Sequence, residues 1–178
     1  MRTRGFSISK EITSSSEPVT LEMLKAHLQI DFTKHDTLLN IMLQAAREAV
    51  ETFLCASLIE TTITARWEEL STEELPYGPV NEIVSIYDGD GNSISGTAIE
   101  GLMKGFVSIK ANRTSPTVVQ YKAGYESVPY NIQLAIMKLA TDNFEHRTGI
   151  DLTAGSSGLL PNNWKSVCYP YRRISWAE

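Results

Sequence analysis

Asp88, Asp90 and Asn92 stand at alternate positions in the run Asp88-Gly89-Asp90-Gly91-Asn92, the spacing with which an EF-hand loop offers its first three side-chain ligands to calcium. The match stops there. Ser93 and Ile99 occupy the positions where that loop needs a glycine and a bidentate glutamate, and strand-like sequence flanks the run. The same residues supply what a hairpin turn requires, glycine and asparagine for positive φ, so a solvated hairpin tip is the expectation. His27, His35 and His146 are scattered and form neither HExxH nor HxH, the patterns that bring two ring nitrogens to one metal. Each reads as a helix-surface or cap residue, and His146, beside Arg147 at the end of a helix, suits the negative end of the helix dipole. Cys55 and Cys168 lie far apart without CxxC or zinc spacing, and no signal-peptide pattern precedes them, which predicts a reduced, cytosolic origin. Cys55 closes an apolar helical run and is expected as a small buried thiol. GxSxG, P-loop and GxGxxG fingerprints are absent from the sequence, so no catalytic residue, cofactor or metal is assigned and the chain is read as a non-enzyme.

The C-terminal segment carries a different kind of chemistry. Trp164, Tyr169, Tyr171, Arg172, Arg173 and Trp176 follow a Gly/Ser hinge, Ala154-Gly155-Ser156-Ser157-Gly158. Trp, Tyr and Arg are the side chains enriched at interface hot spots. Two readings stand side by side: the segment docks on another protein, or it folds back on its own domain.

The elements that would position these residues change period along the chain. Residues 1–17 are polar and small and read as an arm whose order comes from a neighbour. Thr20 is a candidate N-cap for a short helix to Gln29, with Leu21, Leu24 and Leu28 on one face. Asp36 is the expected N-cap of a long helix to Leu54, whose Leu38, Met42, Ala45, Ala49, Phe53 row runs beside Leu39, Leu43, Ala46, Val50, Leu54; so wide an apolar face predicts extensive burial. After Ser57 the period becomes two: Ile59, Thr61, Ile63, Ala65 and Trp67 alternate with Thr62, Thr64 and Arg66, a strand. Further strands are expected at 80–87, returning at 93–99 across the hairpin, at 106–110 and at 117–122. Val128-Pro129 opens a last long helix that Gly149 ends.

The resulting expectation is an α+β, mainly helical fold: three to four core helices, a small antiparallel sheet (58–123) inserted between the second and third, and extended arms at both ends. The parts are an arm (1–17), a core domain (18–153) and a C-terminal tail (154–178). With 178 residues, 42% hydrophobic and 21% charged, the chain is one domain's length and of ordinary globular composition. Its net charge of -5 argues against a protein that grips nucleic acid by neutralising phosphates. No apolar run approaches the roughly 20 residues that span a bilayer.

Read in order, several stretches resemble the head-tail connector family of tailed bacteriophages. They are Glu17-Pro18-Val19-Thr20-Leu21 through Asp31; Asp36-Thr37-Leu38-Leu39 with Ala45-Ala46-Arg47-Glu48-Ala49-Val50-Glu51; Leu75-Pro76-Tyr77-Gly78-Pro79-Val80; Tyr121-Lys122-Ala123-Gly124-Tyr125; Val128-Pro129 through Arg147; and Leu160-Pro161 with Tyr169-Pro170-Tyr171-Arg172-Arg173. Cys168-Tyr169 stands where the family commonly has an aliphatic pair.

The resemblance implies a structural adaptor without cofactor, assembled in the host cytoplasm and resident in the virion neck. About twelve copies would form a homo-oligomeric ring through which DNA passes without specific binding. It implies that the C-terminal residues Trp164, Tyr169, Tyr171, Arg172, Arg173 and Trp176 reach the portal protein. The other face would receive tail-completion or stopper proteins, with Asp88, Asp90 and Asn92 as a loop at the tail side or between subunits. A competing reading is a regulatory or nucleic-acid-binding module of phage or host; a third, a small metal-dependent enzyme, would need calcium or zinc retained through dialysis.

Overall fold

The Thr20 hydroxyl accepts a hydrogen bond from the Met23 amide at 3.3 Å and opens α1 (Leu21–Leu28). It satisfies one of the amides a helix start leaves unpaired. Gln29 ends α1 in the left-handed region, φ 57°, its amide bonded back to Ala26 O. α2 follows (Asp36–Leu54). Asp36, expected as its N-cap, is instead its first helical residue, with Oδ1 2.8 Å from Lys25 Nζ. The computed structural model describes residues 6–14, 16–100, 107–113, 116–145 and 163–173. The chain divides into two compact units, Met1–Ser16 with Cys55–Glu126 and Glu17–Leu54 with Ser127–Glu178.

The second of these is helical. α3 (Tyr130–Glu145) starts behind Pro129, whose carbonyl accepts from the Ile132 and Gln133 amides. α2 packs along α3, and α1 touches both. Leu24, Leu39, Leu43, Ala46, Val50 and Leu54 of α1 and α2 are buried, as are Ile132, Ala135, Ile136 and Ala140 of α3, each large aliphatic contributing about 1.5–3 kcal/mol on burial. Of the two apolar rows on α2, only the Leu39 row is buried; Ala45 and Ala49 of the other are exposed.

The first unit is built from strands. β2 (Thr61–Trp67) realises the alternation in its sequence, Ile63, Ala65 and Trp67 buried and Arg66 exposed, and β7 (Thr117–Ala123) mirrors it. With β1 (Phe6–Ile12) and β4 (Val80–Asp88) they form an antiparallel sheet in the order β1-β2-β7-β4. A second antiparallel sheet orders β3 (Leu70–Glu74), β6 (Val107–Arg113) and β5 (Thr97–Glu100) as β3-β6-β5. Ile109 of β6 shares one core with Ile63, Trp67, Leu75, Val119 and Tyr121.

The mainly helical expectation is therefore overturned: among the described residues nearly as many lie in strands as in helices, in sheets of four and three strands. The N-terminal arm is not loose. Residues 6–12 pair with β2 over its whole length, and Thr13 and Ser14 continue the contact to Glu60 O. On β1 the apolar side chains Phe6, Ile8 and Ile12 do alternate, but Lys10 interrupts them; its ammonium lies 3.2 Å from the Tyr77 ring centroid, a cation–π contact that hides the period. The return strand expected at 93–99 is also redirected. The Asp88 amide on Asn92 O, the Gly91 amide on Asp88 O, a bridge from Tyr87 to Ser93 and the Ile94 amide on Ile86 O close the turn, after which β5 leaves for β6.

Gly124 and the Pro76-Tyr77-Gly78-Pro79 turn join the ends of these strands. Gly124, φ 149°, donates to Pro79 O at 2.9 Å and accepts from Asn81 Nδ2 at 3.0 Å. A Cβ there would sit 2.7 Å from Ile59 O. The buried Tyr121 hydroxyl donates to Pro76 O, and Ser57 N donates to Gly78 O; the Gly78–Pro79 bond is cis. Two of the motif stretches behind the family resemblance thus hold each other in place.

Candidate functional site

α4 (Asn163–Cys168) and the single 3-10 turn after it (Tyr169–Tyr171) bring the C-terminal aromatics onto the helical unit. α4 packs on α3 and reaches the end of α2. Trp164, only 7% exposed, meets Phe53 edge-on with centroids 5.4 Å apart. The Arg172 guanidinium carbon lies 5.1 Å from the Phe53 ring centroid, and Lys165 Nζ lies 5.9 Å from it. α2 has no basic residue in its last turn. The tail supplies cations there: the Arg173 amide donates to Leu54 O at 3.1 Å, and positive charge is favourable at a helix C-terminus. Cys168 is fully buried, and desolvation pushes its thiol from 9.0 up to about 11, so it stays protonated at neutral pH.

Six residues were singled out as a docking group, and the structure sorts them. Trp164 is an internal anchor, because α2 ends in an aromatic it can close upon. Tyr169 is 62% exposed, Arg172 is exposed, and Tyr171 and Arg173 are half-buried. What this segment presents outward is Tyr169 with Arg172. Trp176, the hinge 154–158, His146 and Arg147 lie outside the described residues.

Asp88, Asp90 and Asn92 come together as a turn. One Asp88 carboxylate oxygen accepts the Asp90 and Asn92 amides at 3.1 and 2.8 Å, while the other accepts from Asn92 Nδ2 at 3.3 Å. Gly91 takes φ 86°, and the carboxylate that would lead a calcium loop is spent on its own backbone. Among the described residues no group of three or more His, Cys, Asp or Glu side chains could hold a metal ion, and no helix is long and apolar enough to cross a membrane. His27 is exposed, whereas His35 sits edge-on between Phe32 and Phe144 at 5.5 and 5.8 Å. Cys55, expected buried, is half-buried with φ 52° just past α2.

Arg47 had no role in the sequence reading. It is buried, with Nε 2.8 Å from Glu17 and Nη1 2.9 Å from Glu51. The signal was partly available: Glu51 is four residues on, the spacing of neighbours on one helix face. Glu17, thirty residues earlier, could not have been found by spacing. Phe53 was seen only as part of an apolar row, since its partners arrive from the far end of the chain.

The family described as "Phage gp6-like head-tail connector protein" matches residues 18–167. No curated protein matches the sequence. Among solved structures, a chain from "Neck of empty GTA particle computed with C6 symmetry" aligns with TM-score 0.72 and 16% identity, over 95% of this chain and 96% of that one. A chain from "Neck of native GTA particle computed with C12 symmetry" aligns at 0.68 and 15%, over 96% of each. A third, from "Virion of native gene transfer agent (GTA) particle", aligns at 0.65 and 17%, over 93% and 96%. At these identities the likeness is one of fold, and it extends over both units. With the motif order of the sequence matched along most of its length, the chain belongs to the phage gp6-like head-tail connector family.

Proposed function

We propose that the protein is a structural, non-catalytic subunit of a homo-oligomeric ring in the neck of a phage-like particle, seated on the portal and receiving tail-completion or stopper proteins on its other face. The observation that carries this reading is the family match over residues 18–167. The fold likeness to neck chains supports it; those necks were computed with sixfold and twelvefold symmetry, and about twelve copies are proposed here as well. In this reading residues 1–17 form an arm, of which 6–14 close onto the sheet, 18–153 the connector core, and 154–178 the portal-docking tail. Tyr169 and Arg172 make the portal contact with Tyr171 and Arg173 around them, Trp176 is assigned to the same contact from its sequence, and Trp164 holds the platform. The turn at Asp88, Asp90 and Asn92 meets the tail side or a neighbouring subunit. DNA passes through without being gripped, in keeping with a net charge of -5. Subunits assemble in the host cytoplasm.

The test is a pair of variants mixed with portal rings and imaged. Tyr169→Ala with Arg172→Ala should lower the melting temperature by no more than about 4 °C, the loss of the exposed Arg172 contact with Phe53, and should lose portal binding. Trp164→Ala should lower the melting temperature as well. A Tyr169/Arg172 variant that still decorates portal rings normally refutes the docking assignment, and wild-type protein that ignores portal rings refutes the connector reading.

A further inference from the structure

The helical unit buries the Leu39 row of α2 and half-buries Leu38, Met42 and Phe53 of the other, leaving Ile41, Ala45 and Ala49 on an outer face at the surface. Ile41 on that outer face is 59% exposed, although it lies mid-helix where a solvated position ordinarily holds a polar residue, and Ala45 and Ala49 continue the face toward the C-terminus. Glu48 borders it, its side chain 66% exposed and only loosely engaged with Arg47 at 3.6 Å, since Arg47 is committed to Glu17 and Glu51. A second exposed group sits just before α2: Phe32 is 53% exposed, and Lys34 is exposed without an ion pair among the described residues.

These two groups are complementary, an apolar helix face edged by an anion and an aromatic followed by a cation. One molecule cannot join them. Glu48 stands twelve residues into α2, about 18 Å along a rigid helix from its start, while Lys34 precedes that start. A pair of matching surfaces held apart on one body can be satisfied only by a second body. When the surfaces differ, the contact is head-to-tail and generates a ring or a filament, not a closed dimer.

We propose that the outer face of α2, centred on Ile41, seats the Phe32–Lys34 loop of a neighbouring copy of this chain, with Glu48 meeting that copy's Lys34. The proposal rests on the ring reading above and names the contact that closes the ring. It also accounts for an exposed mid-helix isoleucine that the fold of a single subunit does not require.

Charge reversal tests it. Lys34→Glu and Glu48→Lys should each lower the concentration-dependent assembly of the purified protein on portal rings, read by mass photometry and electron microscopy, by about tenfold or more, because each sets like charges opposite each other. The double reversal should return assembly to within about threefold of wild type, since the pair is restored with opposite polarity. Ile41→Glu should block assembly with both charges intact, and matching circular dichroism and melting curves exclude misfolding. Wild-type rings with a double reversal no better than the single variants overturn this contact while leaving the connector reading standing. Wild-type protein that forms no ring overturns both.

Discussion

Gly124→Ala isolates how tightly the sheet unit is closed. The new methyl carbon would lie 2.7 Å from Ile59 O, 2.8 Å from Ile59 C and 2.9 Å from Glu60 Cα; all three are backbone atoms, so no side chain can swing aside. Restoring ordinary contact means a shift of about half an ångström or more. The neighbours are tied: Gly124 to Pro79 O and Asn81, Ile59 O to the Thr61 hydroxyl at 3.0 Å, and Glu60 O to the Thr13 and Ser14 amides. Loosening one or two of these bonds costs about 1 kcal/mol each, and a non-glycine residue at φ 149° adds about 1–3 kcal/mol of backbone strain. The sum is about 2–5 kcal/mol, a fall in melting temperature of about 10 °C for a chain of this length. Gly91→Ala is the control. Gly91 also has positive φ, 86°, but nothing lies within 4 Å of its Cβ position, so it should lose only about 1 kcal/mol. Calorimetry and urea unfolding of both variants give the comparison. Equal losses at the two glycines, or a Gly124→Ala melt within about 2 °C of wild type, would refute the close-approach argument.

Arg47→Ala should destabilise the helical unit by about 3–5 kcal/mol in urea titration, because the Glu17 and Glu51 carboxyl groups would be left in a partly buried site without the guanidinium that pairs with both. The triple change Glu17→Gln, Arg47→Met, Glu51→Gln should recover most of that loss. Cys168 gives a pH dependence: its folded pKa is raised from 9.0 to about 11, so the unfolded chain releases the proton first. The stability tied to the neutral thiol is fully present below pH 9 and declines by roughly 3 kcal/mol as pH rises to about 11. Cys168→Ala should flatten that part of the wild-type pH–stability curve, and the native thiol should resist alkylation at pH 8 until denaturant is added. Gln29→Gly should stabilise by about 0.5–1 kcal/mol in thermal melts, since Gln29 closes α1 at φ 57°, where glycine carries no Cβ penalty.

The helices were legible because their signals are local. Thr20 caps α1 as its position predicted, the 3.6-residue period placed α2 at Asp36–Leu54, and Val128-Pro129 marked the start of α3. β2 was legible from alternation, and β4, β6 and β7 lie where strands were expected at 80–87, 106–110 and 117–122. β3, with its Ser-Thr-Glu-Glu sequence, carries no apolar period to read. The division into two sheets was illegible for a different reason: which strand pairs with which is decided by contacts across dozens of residues, and β5 abandons its sequence neighbour β4 for β6. The candidate site divided the same way. Composition left the C-terminal segment either docking on another protein or folding back, and only the arrival of Phe53 from α2 determines that Trp164 faces inward and Tyr169 outward.

β1 is separated from its partner by some fifty residues; the Thr13 and Thr62 hydroxyls that touch at 3.1 Å are 49 positions apart. The stretch 55–126, produced alone, would therefore carry β2 as an open margin with a free row of amides and carbonyls. Such a fragment should self-associate in solution, and a synthetic peptide spanning residues 6–14 should restore it to a monomer by filling the vacant lane.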